Sequence, residues 1–231
     1  MIPNNIAIKP MFIALCECLR WWHAFDAAQC YLIETHGMDG IDVRRIAIQY
    51  GFIRNLKTGG DCDLVERLRS VADLSAQNLQ QRAEQLAEVI QQYQATHDAH
   101  HRAFSGATKL FWFLNPEGWT PYDKLASAGL GIKGTSSSRM INFYKSLDEL
   151  AFLQKADEIS QILREHELDY LRGERVYDKI LMMRGAPNAN MQTVALAYAN
   201  ALPSHYQEQL INVGQELTDE TDGGLGLDNL Q

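Results

Sequence analysis

The chain has no apolar run of about 18 residues, so no helix able to cross a membrane is expected. Its opening, "MIPNNIAIKPMFIALCECLRWW", has an apolar stretch cut short by Glu17 and Arg20 and lacks a small-residue cleavage site. A secretory leader is therefore not expected, and the cytoplasm is the expected home. Cysteine is scarce: four, at 16, 18, 30 and 62, with none later to hold an iron–sulfur cluster. Cys16 and Cys18 lie roughly 200° apart around a helix and cannot share a metal, and no C-x-x-C occurs. Buried or inert thiols in a reducing compartment are the reading. No Gly-Lys-Ser/Thr phosphate loop is present, which argues against an ATP-driven function. Alternating strand patterns and internal repeats are also missing.

What remains is helix. At 231 residues, 46% hydrophobic and 22% charged, the chain can bury one large core or two small ones. Phe12, Leu15, Leu19, Trp22, Phe25 and Ile33 predict a helix from Met11 to about Thr35, stopped by Gly37. Short helices are expected at 42–50 and 63–72, and a long one at 75–101 with the stripe Leu79, Ala83, Leu86, Ile90 and Tyr93. Further helices are predicted at 105–115, 122–128, 138–150, 156–171, 175–183, 191–201 and 204–216. The expected fold class is all-α with about ten helices. One helical domain is expected over 1–217, with two helical subdomains flanking a cleft as the variant, followed by an acidic disordered tail at 218–231.

The formal charge of −8 argues against nucleic acid, but its distribution points the other way. Glu216, Asp219, Glu220, Asp222 and Asp228 crowd the end without a base, leaving the rest at −3. Between 101 and 140, Arg102, Lys109, Lys124, Lys133 and Arg139 face only Glu117 and Asp123. A modestly basic face on an acidic protein can meet phosphates.

The stretch "ATKLFWFLNPEGWTPYDKLA" then places a lysine at the head of an aromatic run and an aspartate fourteen residues on. Breaking the C1′–N bond of a nucleotide passes through a cationic sugar, which a carboxylate beside C1′ stabilises. A neutral amine can capture C1′ and form a Schiff base with the opened sugar, provided its site is desolvated. Phe111, Trp112, Trp119 and Tyr122 could wall such a site and stack on an extruded base.

With its preceding Ser105 and Gly106, this stretch resembles the central block of the helix-hairpin-helix DNA glycosylases, the superfamily that includes 8-oxoguanine glycosylases. "ERVYDKILMMRG", Glu174 to Gly185, resembles a late helix of bacterial proteins of the 8-oxoguanine glycosylase fold, some of which act against phages by excising modified viral bases. The resemblance covers roughly 75–185, and residues 1–70 carry no matching motif. It implies excision of a damaged or modified base, with an associated strand-cleaving lyase step as the variant, and it implies Lys109 as nucleophile and Asp123 as catalytic carboxylate. Trp112, Trp119 and Tyr122 would hold the base. Arg102, Ser105, Gly106, Thr108, Lys124 and Arg139 would contact the DNA backbone. A hairpin at 101–108 would take a phosphate on its backbone N–H groups. The implied partner is double-stranded DNA with a flipped base, met by a monomer without metal or cofactor. Here Ser105-Gly106-Ala107 stands where the family usually has Gly-x-Gly, and the Lys-to-Asp gap is shorter than in relatives.

Each residue also has a plainer reading. Thr120-Pro121-Tyr122-Asp123 reads as an N-cap, a first-turn proline and an acidic third residue. Lys109 also fits a helix surface, and Trp112 with Phe113 fits a core. His97 and His101 share a helix face at metal-binding spacing, but no carboxylate or cysteine joins them. "SSSR" at 136–139 reads as cap and loop. Two rivals to a glycosylase follow: a non-catalytic helical DNA-binding or protein-interaction module, and a helical nuclease built on the histidines.

Overall fold

A computed structural model describes residues 10–53, 56, 61–71, 78–97, 103–132, 136–185 and 189–224. Among them there is helix and no strand, so the chain is all-α. In order these are α1 (Pro10–Trp21), a π-helical turn (Trp22–Asp26), α2 (Ala27–His36), α3 (Gly40–Gln49), α4 (Asp61–Arg69), α5 (Leu79–His97) and α6 (Ala103–Leu114). Then come α7 (Lys124–Gly129), α8 (Ser136–Glu149), α9 (Phe152–Glu165), α10 (Gly173–Gly185), α11 (Ala189–Ala201) and α12 (Ser204–Gly224). No described helix is long and apolar enough to cross a membrane.

The chain divides into two compact units. The first combines Met1–Ala24, Leu125–Gly131 and Leu150–Gln231, and the second combines Phe25–Lys124 and Ile132–Glu149.

In the first unit α1 is the hub, touched by α10, α11 and α12. Every residue from Met11 to Leu19 is buried, because the helix is apolar nearly all round. Its one buried carboxylate, Glu17, accepts two bonds from Arg20 at 2.8 and 2.7 Å and one from Trp21 Nε1 at 2.8 Å. A buried charge is tolerable only with such partners. α10 crosses α9 and α7 at backbone distance. A Cβ on Gly173 would stand 1.9 Å from the Ala156 carbonyl oxygen, and one on Gly185 would stand 1.8 Å from that of Leu125. Any side chain at either position would push the helices apart.

In the second unit the hub is α6, packed against α2, α3, α4, α5 and α8. Its sequence, AFSGATKLFWFL, is apolar apart from Ser105, Thr108 and Lys109. Rings bind the surrounding helices together: Phe25, Tyr50 and Phe113 meet edge to face at 6.0–6.3 Å, and Trp119 stacks on Tyr144 at 4.1 Å.

Several expectations are corrected by tertiary contacts. The predicted helix 11–35 is interrupted by the π turn, whose Asp26 is buried and accepts the Tyr50 hydroxyl at 2.7 Å. α5 begins at Leu79 rather than at 75, because Asp148 of α8 accepts the N–H groups of Leu79 and Gln80 at 3.0 and 2.8 Å. A carboxylate is also the favourable charge at that end of a helix. α9 ends at Glu165, well short of 171. Glu167 turns left-handed at φ 57°, and Leu168 N–H closes onto the Leu163 carbonyl at 2.8 Å, as in a Schellman cap. The acidic tail expected at 218–231 is helical as far as Gly224. Leu217 is buried there, Thr218 Oγ1 donates to the Gly214 carbonyl, and Gln215 reaches Asp219, so the helix continues past Glu216. Residues 225–231 lie outside the described residues. Cys16, Cys18 and Cys30 are buried and Cys62 is exposed, all as free thiols; burial pushes the Cys16 thiol far up.

Candidate active site

Lys109 sits midway along α6, where everything around it packs. Its side chain is 10% exposed, and Nζ ends among oxygens. It donates to Ser105 Oγ at 2.7 Å and stands 3.4 Å from the Ser105 carbonyl and 3.5 Å from that of Tyr122. The Asp123 carboxylate lies 3.7 Å away, with its side chain 26% exposed. The fold thus brings the two predicted residues together, with the carboxylate the more open partner.

The loop 115–123 that presents Asp123 is tied down from three sides within the second unit. From α6, Thr108 Oγ1 accepts the Tyr122 N–H at 3.1 Å, and Ser105 Oγ donates to the Tyr122 carbonyl at 3.2 Å. From α8, the Tyr144 hydroxyl donates to the Thr120 carbonyl at 2.7 Å. From α5, Arg82 Nη1 donates to the Gly118 carbonyl at 2.8 Å while its guanidinium lies 5.2 Å from the Trp119 ring centre. These bonds occupy the backbone of residues 120–122, so the helix cannot begin there. α7 starts at Lys124, and Asp123 is the residue before it rather than the third residue inside it.

Arg82 is a member that sequence reasoning missed. It is buried, and desolvation lowers its pKa, with Tyr144 and Asp148 opposing. A signal existed: Arg82 follows Leu79 by three, which puts it on the apolar stripe of α5 rather than on its polar faces.

Other predicted residues fall elsewhere. Trp112 and Trp119 are wholly buried and Tyr122 nearly so, in edge-to-face contact with Phe143 at 5.6 Å. Their ring faces belong to the core and offer nothing to an extruded base, which corrects the stacking role. Residues 103–108 are the first half of α6 rather than a hairpin. Gly106 is there for close packing, since a Cβ would stand 2.6 Å from Phe52 Cδ2. Thr108 is fully buried and bonded inward. Gly106 and Thr108 therefore do not serve as DNA-backbone contacts, and Ser105 turns inward to Lys109. Arg102, His100 and His101 lie outside the described residues, as does the side chain of His97. No group of three or more metal-ligating side chains occurs among the described residues. Lys124 is exposed, and half-buried Arg139 donates to the Lys124 carbonyl at 3.3 Å.

No family model, no curated protein and no solved structure matches the chain.

Proposed function

We propose that the chain is a DNA glycosylase, which releases a damaged or modified base by cleaving its N-glycosidic bond. The observation that carries this reading is the Lys109–Asp123 pair. Two residues fourteen apart converge at 3.7 Å, with the carboxylate partly open to solvent at the head of a helix. A carboxylate so placed can stabilise a cationic sugar at C1′. Lys124, the next residue in the chain, and Arg139, bonded to the Lys124 carbonyl, can hold flanking phosphates, and the all-α fold agrees with the resemblance. Defence against phage or base-excision repair would be its setting.

The test is release of free base from a panel of modified duplex DNAs, measured by mass spectrometry for the native chain and for Asp123→Asn. Release by the native chain alone supports the reading. Equal release by both, or none from any substrate, overturns it. A second reading, a helical module that binds DNA without chemistry, is favoured by the burial of Trp112, Trp119 and Tyr122. Retained DNA affinity without base release would establish that one instead.

A further inference from the structure

We infer that Lys109 serves as a positioning residue for Asp123, held in place by Ser105, and that water rather than the lysine amine attacks the sugar. This rests on the glycosylase reading and assigns the reaction a type: hydrolysis that stops at base release.

The reason is stereochemical. An amine nitrogen has three directions left after its bond to Cε, and a nucleophile needs one of them as a lone pair aimed at carbon from about 3–3.5 Å. Within reach of Nζ stand Ser105 Oγ at 2.7 Å, the Ser105 and Tyr122 carbonyls at 3.4 and 3.5 Å, and Asp123 Oδ2 at 3.7 Å. All four are acceptors toward this nitrogen. The Ser105 hydroxyl is no exception, because its own proton goes to the Tyr122 carbonyl at 3.2 Å. N–H bonds suit these four oxygens, whereas a lone pair on the same nitrogen gains nothing from them. Exposure points the same way: Asp123 at 26% meets an incoming sugar before Lys109 at 10% does.

The chemistry then balances with water alone. The C1′–N bond breaks and its electron pair leaves with the base. The water oxygen bonds C1′, its proton passes to the Asp123 carboxylate, and that proton finally neutralises the departed base. The products are a free base and an abasic site on an intact strand, with no bond to the protein.

The experiment incubates the full chain with a DNA substrate that releases base, with and without borohydride, and reads free base, strand nicks and covalent adduct together. Lys109→Met, Lys109→Arg and Ser105→Ala are run in parallel, with circular dichroism as the folding control. The expected result is free base without adduct or nick from the native chain. Lys109→Met should lose kcat by on the order of 10²-fold at near-constant KM, through misplacement of the carboxylate, with partial rescue by Lys109→Arg. Ser105→Ala should lose less, also in kcat. A borohydride-trapped adduct that disappears in Lys109→Met overturns the inference while leaving the glycosylase reading standing. Full kcat in Lys109→Met overturns the positioning role. No base from any substrate removes both readings. The trapping result on the native chain stands even if a variant fails to fold.

Discussion

Each unit holds a cation–carboxylate pair out of ordinary surface contact, and the two pairs are built differently. Arg175 and Asp178 meet at 2.8 Å within α10, three residues apart, with side chains only 6% and 2% exposed. Lys109 and Asp123 meet at 3.7 Å from a helix and a loop, and the carboxylate keeps a quarter of its surface. The first pair is closed off, and the attraction between its two charges offsets part of the desolvation that burying them costs. The second is held from outside, by Ser105, Tyr144 and Arg82, so its geometry is fixed by the framework rather than by the pair itself. A carboxylate fixed by its surroundings and open on one side can act on something else. One sealed inside a helix cannot.

The contrast can be broken first at Asp178. Asp178→Ala leaves the Arg175 charge buried and should cost about 3–5 kcal/mol, read as a fall in the urea midpoint. Arg175→Met with Asp178→Leu together should cost far less, because both buried charges are removed at once. A loss below about 1 kcal/mol for Asp178→Ala would make the two pairs energetically alike.

Tyr144→Phe tests the framework around the open pair. It leaves the Thr120 carbonyl without the hydroxyl and should cost about 0.5–1.5 kcal/mol by urea unfolding. It should also lower base release more than that loss explains. Asp123→Asn is the sharpest contrast with Asp178. It should cost only about 0.3–1 kcal/mol, as one charge lost at a helix start, and yet abolish base release.

The smallest effect at neutral pH is expected for Tyr177→Phe. This phenol is buried without a hydrogen-bond partner for its hydroxyl among the described residues, so its loss should be near neutral or slightly stabilising. At high pH the variant becomes informative. Burial pushes Tyr177 up to about 12 from its ordinary 10, with Arg184 opposing. The folded chain then holds a proton that the unfolded chain releases. Stability from this group is full below about pH 10 and is lost as pH rises toward about 12. Tyr177→Phe should flatten that part of an alkaline unfolding curve. Tyr170, also pushed up to about 12 by burial, should keep the rest of the slope.

Helix periodicity was legible wherever one face meets a core: Leu79, Ala83, Leu86, Ile90 and Tyr93 of α5 are all buried. Features set by distant partners were not. Asp148 fixes the start of α5 from 69 positions away, and Tyr144 and Arg82 hold the loop before α7 from two other helices. The tryptophans show why composition misleads, since an aromatic ring suits a base-binding wall and a core equally well. Trp119 meets Arg82 of α5 and Tyr144 of α8, partners that no local spacing in "KLFWFLNPEGW" encodes. The convergence of Lys109 and Asp123 was anticipated through the family resemblance; the spacing of fourteen alone would not have paired them.

The order in which the chain supplies its two units has a biosynthetic consequence. The second unit is finished once residue 149 has been made, whereas the first draws on both ends of the chain. α1 therefore leaves the ribosome long before α10, α11 and α12, the helices that cover it. For most of translation a helix apolar on nearly every side waits without its partners, which is the condition that recruits chaperones and invites aggregation. A nascent chain stalled near residue 150 should carry a protease-resistant centre together with a sticky leading segment, and completion of the last helices should bury that segment.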